Sequence, residues 1–210
     1  MVLAGKVLYL GISDTPAWFV TRANEYARNH GLRQFVVYQG KWSAANRDFE
    51  REILPMVKYE GMALAPWGAL GSGQFKTEEQ RQQGGRVARP PTEEETKVSR
   101  VFEKLAKEKN TALTSVALAY VLHKAPYVFP IVGGRRVEHL KGNIEALKLE
   151  LSPNDLKEIE DAYTFEIGFP LNFVYGEKFP QHPSIVRTVE NGSDYDYVPE
   201  QKPISPAKET

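Results

Sequence analysis

An α/β fold built on parallel strands is what this sequence predicts, and three observations predict it. Four short apolar runs, Val7–Leu10, Phe35–Tyr38, Met62–Ala65 and Val128–Val132, are spread along the first two-thirds of the chain. Segments with helical apolar spacing separate them. Each run ends in a polar or glycine-bearing turn. Continuous rather than alternating apolar character marks strands buried on both faces, as parallel sheets require.

The elements follow in order. The first helix starts near Thr15-Pro16, a cap-type residue before a proline suited to the first helical position. Phe19, Ala23, Tyr26 and Ala27 recur on one face, and Gly31 ends it. A second helix spans about 46–60, with Phe49, Ile53, Met56 and Val57 facing inward. Pro55 is expected to kink or split it. The stretch from Pro66 to Pro91 reads as one long loop, a length that usually signals function or mobility. Thr92 and Glu95 have capping-box spacing ahead of the stripe Val98, Val101, Phe102, Leu105. A helix over 115–124 and the fourth run come next, Pro130 weakening the latter as a strand. The helix over 137–147 is expected to turn Val137, Leu140, Ile144 and Leu147 to the core. Ser152-Pro153-Asn154-Asp155 caps the last helix. The organisation expected is a domain over 1–163 and an irregular extension over 164–210, mostly disordered after about 190.

Composition narrows the function classes. Lysine plus arginine equals aspartate plus glutamate at 27 each, so bulk charge recruits neither nucleic acid nor an acidic membrane. No cysteine is present, which excludes disulfides, thiolate metal sites and cysteine nucleophiles. The four histidines show no metal-ligand spacing, and His30 and His123 read as solvated helix-end residues. No apolar run approaches the ~18 residues of a membrane helix, and the N-terminus does not read as a signal peptide. A cytoplasmic location is the expectation.

Parallel strands linked by helices bring their C-terminal ends to one rim, where ligands bind in barrels and open sheets alike. Ser13, Asp14 and Gln39 sit just past two strand ends and together offer donors and acceptors for a carboxamide. Each also reads as a turn or cap residue, Asp14 as a cap for the helix near Pro16. Trp67 suits stacking on an aromatic ring or packing at the rim. Gly68, Gly71 and Gly73 around Leu70 suit a backbone cradle for a pyrophosphate. Gly133 and Gly134 open a helix start that attracts anions, and Arg135 and Arg136 add donors suited to phosphate. Arg136, His139 and Asn143 share a helix face. Two readings fit this last group: a site for an adenosine 2′-phosphate, or a glycine turn leading into a solvated helix face.

The turns, in this order, resemble the C-terminal half of the aldo-keto reductases, in the fungal aryl-alcohol dehydrogenase-like branch with its norsolorinic acid reductase-like proteins. The resemblance rests on Gly5–Trp18, Tyr38–Ser43, Asn46–Arg51, Met62–Trp67 and Pro130–Leu147, and covers about Gly5 to Tyr175. It implies a (β/α)₈ barrel of which these are the fifth to eighth strands, with NADPH extended across the C-terminal rim. Ser13, Asp14 and Gln39 would hold the nicotinamide carboxamide and Trp67 would stack on its ring. Gly68, Leu70, Gly71 and Gly73 would cover the pyrophosphate. Gly133, Gly134, Arg135, Arg136, His139 and Asn143 would hold the adenosine end. Asp14 departs from the more usual asparagine, His139 from glutamine or arginine, and Gly142 from glutamate.

The family's catalytic aspartate, tyrosine, lysine and histidine lie on its first four β/α units, so none maps onto this chain. What the resemblance implies is reduction of an aldehyde or ketone by NADPH, or aryl-alcohol oxidation in reverse, in secondary metabolism. A longer gene product or a partner half would then complete the site. The alternative is an inactive remnant that binds NADPH weakly or serves as an interaction module. A half-barrel's exposed edges also predict self-association.

Overall fold

The computed structural model describes residues 1–82, 89–175 and 201–206. Three parallel strands, β1 (Leu10–Ser13), β2 (Phe35–Gln39) and β3 (Ala63–Leu64), form a sheet in that order. Its register pairs Ile12 with Tyr38 and Tyr38 with Leu64, which places these three on one face. That face meets the helices and carries the core. The helices are α1 (Ala17–Asn29), α2 (Phe49–Glu60), α3 (Glu78–Gln82), α4 (Glu93–Glu108), α5 (Leu113–Lys124), α6 (Val137–Glu145), α7 (Pro153–Glu160) and α8 (Leu171–Tyr175).

Two strands depart from expectation. The first pairs over Leu10–Ser13, not Val7–Leu10. Leu8 and Tyr9 stay exposed, because the ladder with β2 begins only at Leu10↔Phe35. Ser13 and Gln39 therefore terminate strands instead of following them. The fourth run makes one isolated bridge, Leu64↔Val128. Phe129 N–H donates to Leu64 C=O at 2.7 Å and Ile131 N–H to Pro66 C=O at 2.8 Å, while Pro130 has no N–H to give. The run is thus an extended edge segment, parallel to β3, rather than a regular strand.

The helices explain themselves from sequence. The α4 capping box forms as expected: Glu95 N–H donates to Thr92 Oγ1, and Thr92 N–H to Glu95 Oε2. Ser152 and Asp155 repeat the arrangement on α7. α5 is apolar nearly all round, so it is the central helix, with Val116, Tyr120 and Val121 fully buried. α2 runs unbroken through Pro55. Asn24, buried on α1, brackets the start of β2 by donating to Phe35 C=O and accepting from Phe35 N–H. This spares two backbone groups an unpaired burial.

Four further expectations need correction. The stripe Val137, Leu140, Ile144 and Leu147 is exposed, not buried, since no described element packs against that side of α6. Within the 66–91 loop, the described residues form a 3₁₀ turn at Gly71–Gly73 and the short helix α3. His123 is half-buried and partnered: Nδ1 meets Ala119 C=O at 2.7 Å, and Nε2 accepts from Leu151 N–H. Beyond 163, α8 forms where irregular packing was expected. The guanidiniums of Arg47 and Arg51 stand over the Phe165 ring, 4.6 and 4.7 Å from its centre. The expected disorder after about 190 falls almost wholly outside the described residues.

Candidate cofactor site

The C-terminal ends of the strands bring four of the expected residues into one patch. Asp14 N–H donates to Gln39 C=O at 2.9 Å, extending the β1–β2 ladder into the turn. Asp14 has φ +46°, a left-handed conformation that aspartate and asparagine tolerate better than most residues. That conformation directs its carboxylate to two donors. Trp67 Nε1–H donates to Oδ1 at 3.3 Å and Ser13 Oγ–H to Oδ2 at 3.2 Å. Asp14 does not cap α1, whose N-cap is Pro16. The Gln39 side chain is exposed and has no hydrogen-bond partner among the described residues.

The backing of this patch is buried and rigid. The Tyr38 hydroxyl accepts from Thr15 N–H at 3.0 Å and donates to Thr15 C=O at 2.8 Å. Burial pushes the phenol above its usual range, against the opposing effect of the Thr15 bond, so it remains a neutral donor. Behind Trp67, its C=O accepts from Trp42 N–H at 3.1 Å and its N–H donates to Gly40 C=O at 2.9 Å. Trp42 is fully buried, and its Nε1–H donates to Glu50 Oε1 at 3.2 Å. Glu50 is also buried. It accepts two bonds from Arg47, a long one from the Tyr120 hydroxyl, and has Lys124 Nζ 3.7 Å away. Burial alone would raise the Glu50 carboxyl, but Lys124, Arg47 and the Trp42 bond hold it below the ordinary glutamate range. Burial also pushes the neighbouring Tyr163 phenol up to about 12, so it too is neutral.

This anchor was not read from the sequence. The only available signal was Arg47 and Glu50 at three-residue spacing, which also describes any solvated helix start.

The glycine loop behaves differently from a uniform cradle. Gly68, Gly71 and Gly73 all have positive φ, as does Ser72. At Gly71 a Cβ would lie 2.7 Å from the Phe75 ring, so this glycine serves close packing as well as the turn. Leu70 packs its side chain against the core, leaving only its backbone to face a ligand. Gly73 has open space beside it.

At the α6 end, Gly133, Gly134, Arg135, Arg136 and Asn143 line a groove of about 410 Å³, floored by Val132, Val137 and Leu140. Neither arginine has an ion-pair partner among the described residues. His139 does not line this groove. Its Nδ1 accepts from Arg135 N–H at 3.3 Å, closing the helix start onto itself. A Cβ on Gly134 would stand 2.7 Å from that of His139, which explains the glycine. The groove follows Ile131, whose N–H is bonded to Pro66, so it opens at the same ends of the strands as Trp67.

The model of the aldo/keto reductase family matches residues 1–164. The chain belongs to the aldo/keto reductase family. Within that family it is 52% identical to norsolorinic acid reductase B of Dothistroma septosporum, covering 99% of this chain and 56% of the relative. It is 52% identical to an aryl-alcohol dehydrogenase of Pestalotiopsis microspora, over 98% of this chain and 54% of that protein. A putative aryl-alcohol dehydrogenase of Saccharomyces cerevisiae is 50% identical, over 83% and 64%. The crystal structure of a thermostable aldo-keto reductase bound to the inhibitor epalrestat superposes with a TM-score of 0.58 at 26% identity. That match covers 77% of this chain and 51% of the other. The chain therefore spans about half the length of the curated relatives it matches, and its α/β fold is that of the family.

Proposed function

We propose that this chain is the cofactor-holding half of an NADPH-dependent aldo-keto reductase acting on an aldehyde, a ketone or, in reverse, an aryl alcohol. The observation that carries the reading is the rim patch of Ser13, Asp14, Gln39 and Trp67. A carboxamide presents one acceptor and two N–H donors. The Asp14 carboxylate can only accept, so it complements the N–H side. The free Gln39 amide can donate to the carbonyl, and the Ser13 hydroxyl can take either part. Arg135 and Arg136, with no ion-pair partner among the described residues and Gly133 open beside them, fit the charge of a phosphate. These groups suit an extended dinucleotide with an extra phosphate, and bound NADPH would supply the reducing hydride. Its 2′-phosphate would be read by the two arginines, and Leu70 would contribute backbone alone.

The proton for the carbonyl oxygen is assigned to a group outside this chain. Tyr38 precedes Gln39 in β2, and both directions of its hydroxyl are committed to Thr15. Tyr9 is exposed ahead of β1. A cytoplasmic setting, where NADPH is kept reduced, belongs to the same reading. NADPH titrated against tryptophan emission tests it. Saturable quenching is expected, with the responsive fraction lost in Trp67→Phe. No saturation up to millimolar cofactor would refute the reading. Turnover of an aryl aldehyde by the 210-residue chain alone would refute the placing of the proton donor.

A further inference from the structure

The chain leaving the glycine turn is tied to one face of α4 by a buried polar network. Gln74 follows the turn directly and is 4% exposed, rare burial for an amide side chain. Its N–H donates to Gly71 C=O at 2.9 Å, closing the turn. Its Nε2–H donates to Arg89 C=O at 3.0 Å. Its own C=O accepts from Arg81 Nη2 at 3.1 Å, and the same nitrogen donates to the buried Ser99 Oγ at 3.0 Å. Ser99 Oγ–H donates in turn to Glu95 C=O at 2.6 Å. The Glu95 carboxylate holds the Arg89 guanidinium through two bonds of 2.8 and 2.6 Å. Phe75 adds an edge-on contact to Phe102, ring centres 5.1 Å apart. Glu95, Ser99 and Phe102 are spaced four and three apart, so one side of α4 receives all these contacts.

Two more observations bear on what this network holds. α3 has only five residues, too few to persist by propensity alone. A capping box fixes it: Gln80 N–H donates to Thr77 Oγ1 at 3.1 Å and Thr77 N–H to Gln80 Oε1 at 3.2 Å, which sets Arg81 in place. Ahead of Gln74, Gly68, Gly71, Ser72 and Gly73 all have left-handed backbone, and Ser72 adopts it at φ +52° without a glycine's freedom. Such backbone persists where its surroundings over-determine it. We infer that Gln74 and Arg81 are positioning residues for the dinucleotide, holding the turn over 68–73 in its binding shape before any cofactor arrives. The inference rests on the proposed role of that turn over the pyrophosphate. Burying an amide, a hydroxyl and a guanidinium gains little stability over apolar packing, and here it supplies a single geometry. Neither side chain touches the ligand in this arrangement; both act through the backbone they fix. Without them, a segment containing Gly68, Gly71 and Gly73 is loose in the unbound protein, and binding has to order it.

Gln74→Leu removes the amide at nearly constant volume, and Arg81→Gln removes the reach to Ser99 at a half-buried site. Each variant should weaken NADPH binding about 10-fold in the tryptophan titration, because the ordering of the turn then falls on the binding step. Adenosine 2′-monophosphate carries the adenosine end without the pyrophosphate. Its affinity, measured by calorimetry, should change less than about 2-fold in the same variants, whereas general loss of structure would weaken both ligands alike. In the absence of any ligand, the amides of residues 71–75 should exchange with deuterium about 10-fold faster in each variant than in wild type. Far-UV circular dichroism checks that the variants fold, and if Gln74→Leu does not, Arg81→Gln decides alone. Unchanged NADPH affinity, equal losses for the two ligands, or unchanged exchange would overturn the assignment. Wild type that binds no NADPH would sink the proposed function and this assignment with it. Wild type that binds NADPH, with variants that match it, would sink this assignment alone.

Discussion

Replacing Glu50 by alanine tests how the site is held from behind. The carboxylate is 6% exposed and is the shared acceptor for Arg47, Trp42 and Tyr120. Its loss leaves the Arg47 guanidinium, with only 10% of its side chain exposed, beside Glu160 at 3.9 Å as its remaining carboxylate. Lys124 keeps Glu160 at 2.5 Å, so its charge is still matched. The cost therefore centres on one poorly compensated buried cation and two buried donors. Removing one member of a buried ion pair costs about 3–5 kcal/mol. Glu50→Gln keeps one acceptor oxygen and should cost about 1.5–3 kcal/mol, the worth of bonds to a charged group. Urea unfolding at pH 7, followed by far-UV circular dichroism, measures both. The pH dependence supplies a second check. The folded-state carboxyl lies below its unfolded value, so its stabilisation is complete above the ordinary glutamate range. It is lost as pH falls through the lower, folded value, and wild type and Glu50→Gln should converge there. A loss under about 1 kcal/mol in Glu50→Ala would mean that Arg47 finds solvent, contrary to the burial on which this argument rests.

Other outcomes follow from single sites. Arg135→Ala and Arg136→Ala should each weaken NADPH binding about 10-fold at low salt and NADH binding much less, since an exposed charge-assisted bond is lost only with the extra phosphate. Equal losses for the two cofactors in a fluorescence titration would remove the arginines from that role. Gly71→Ala should lower stability by about 2 kcal/mol or more, from left-handed backbone and collision with Phe75 together. Gly73→Ala, with the same backbone sign but open space, should cost about half as much in thermal unfolding. Thr92→Ala should cost about 1 kcal/mol by breaking the α4 capping box; an unchanged melting midpoint would contradict that.

What could be read from sequence depended on whether the signal was local. The α4 and α7 starts were legible because a capping box is written in four consecutive residues. Ser13, Asp14, Gln39 and Trp67 were legible as a group because parallel β/α topology alone brings strand ends together. The first strand was misplaced because Val7–Leu10 is the more apolar run, whereas pairing partners decide which residues extend. Burial of the α6 stripe was misjudged for a related reason: periodicity reports which face is apolar, not whether anything covers it. Glu50 was invisible because its partners come both from the loop before α2 (Trp42, Arg47) and from the distant α5 (Tyr120, Lys124). His139 was assigned by spacing to a ligand face, but its ring turned back to its own helix start. No rule of helical periodicity distinguishes those two orientations.

The Tyr38 hydroxyl, bonded to both the N–H and the C=O of Thr15, has a kinetic consequence. The turn carrying Asp14 cannot swing outward without drawing a core phenol away from its only two partners. The Thr15 amide should therefore exchange with deuterium only as fast as the sheet itself opens, far more slowly than an ordinary surface turn. A lip frozen in this way can select a ligand but cannot escort it in or out. Entry and release must be timed by other parts of the rim.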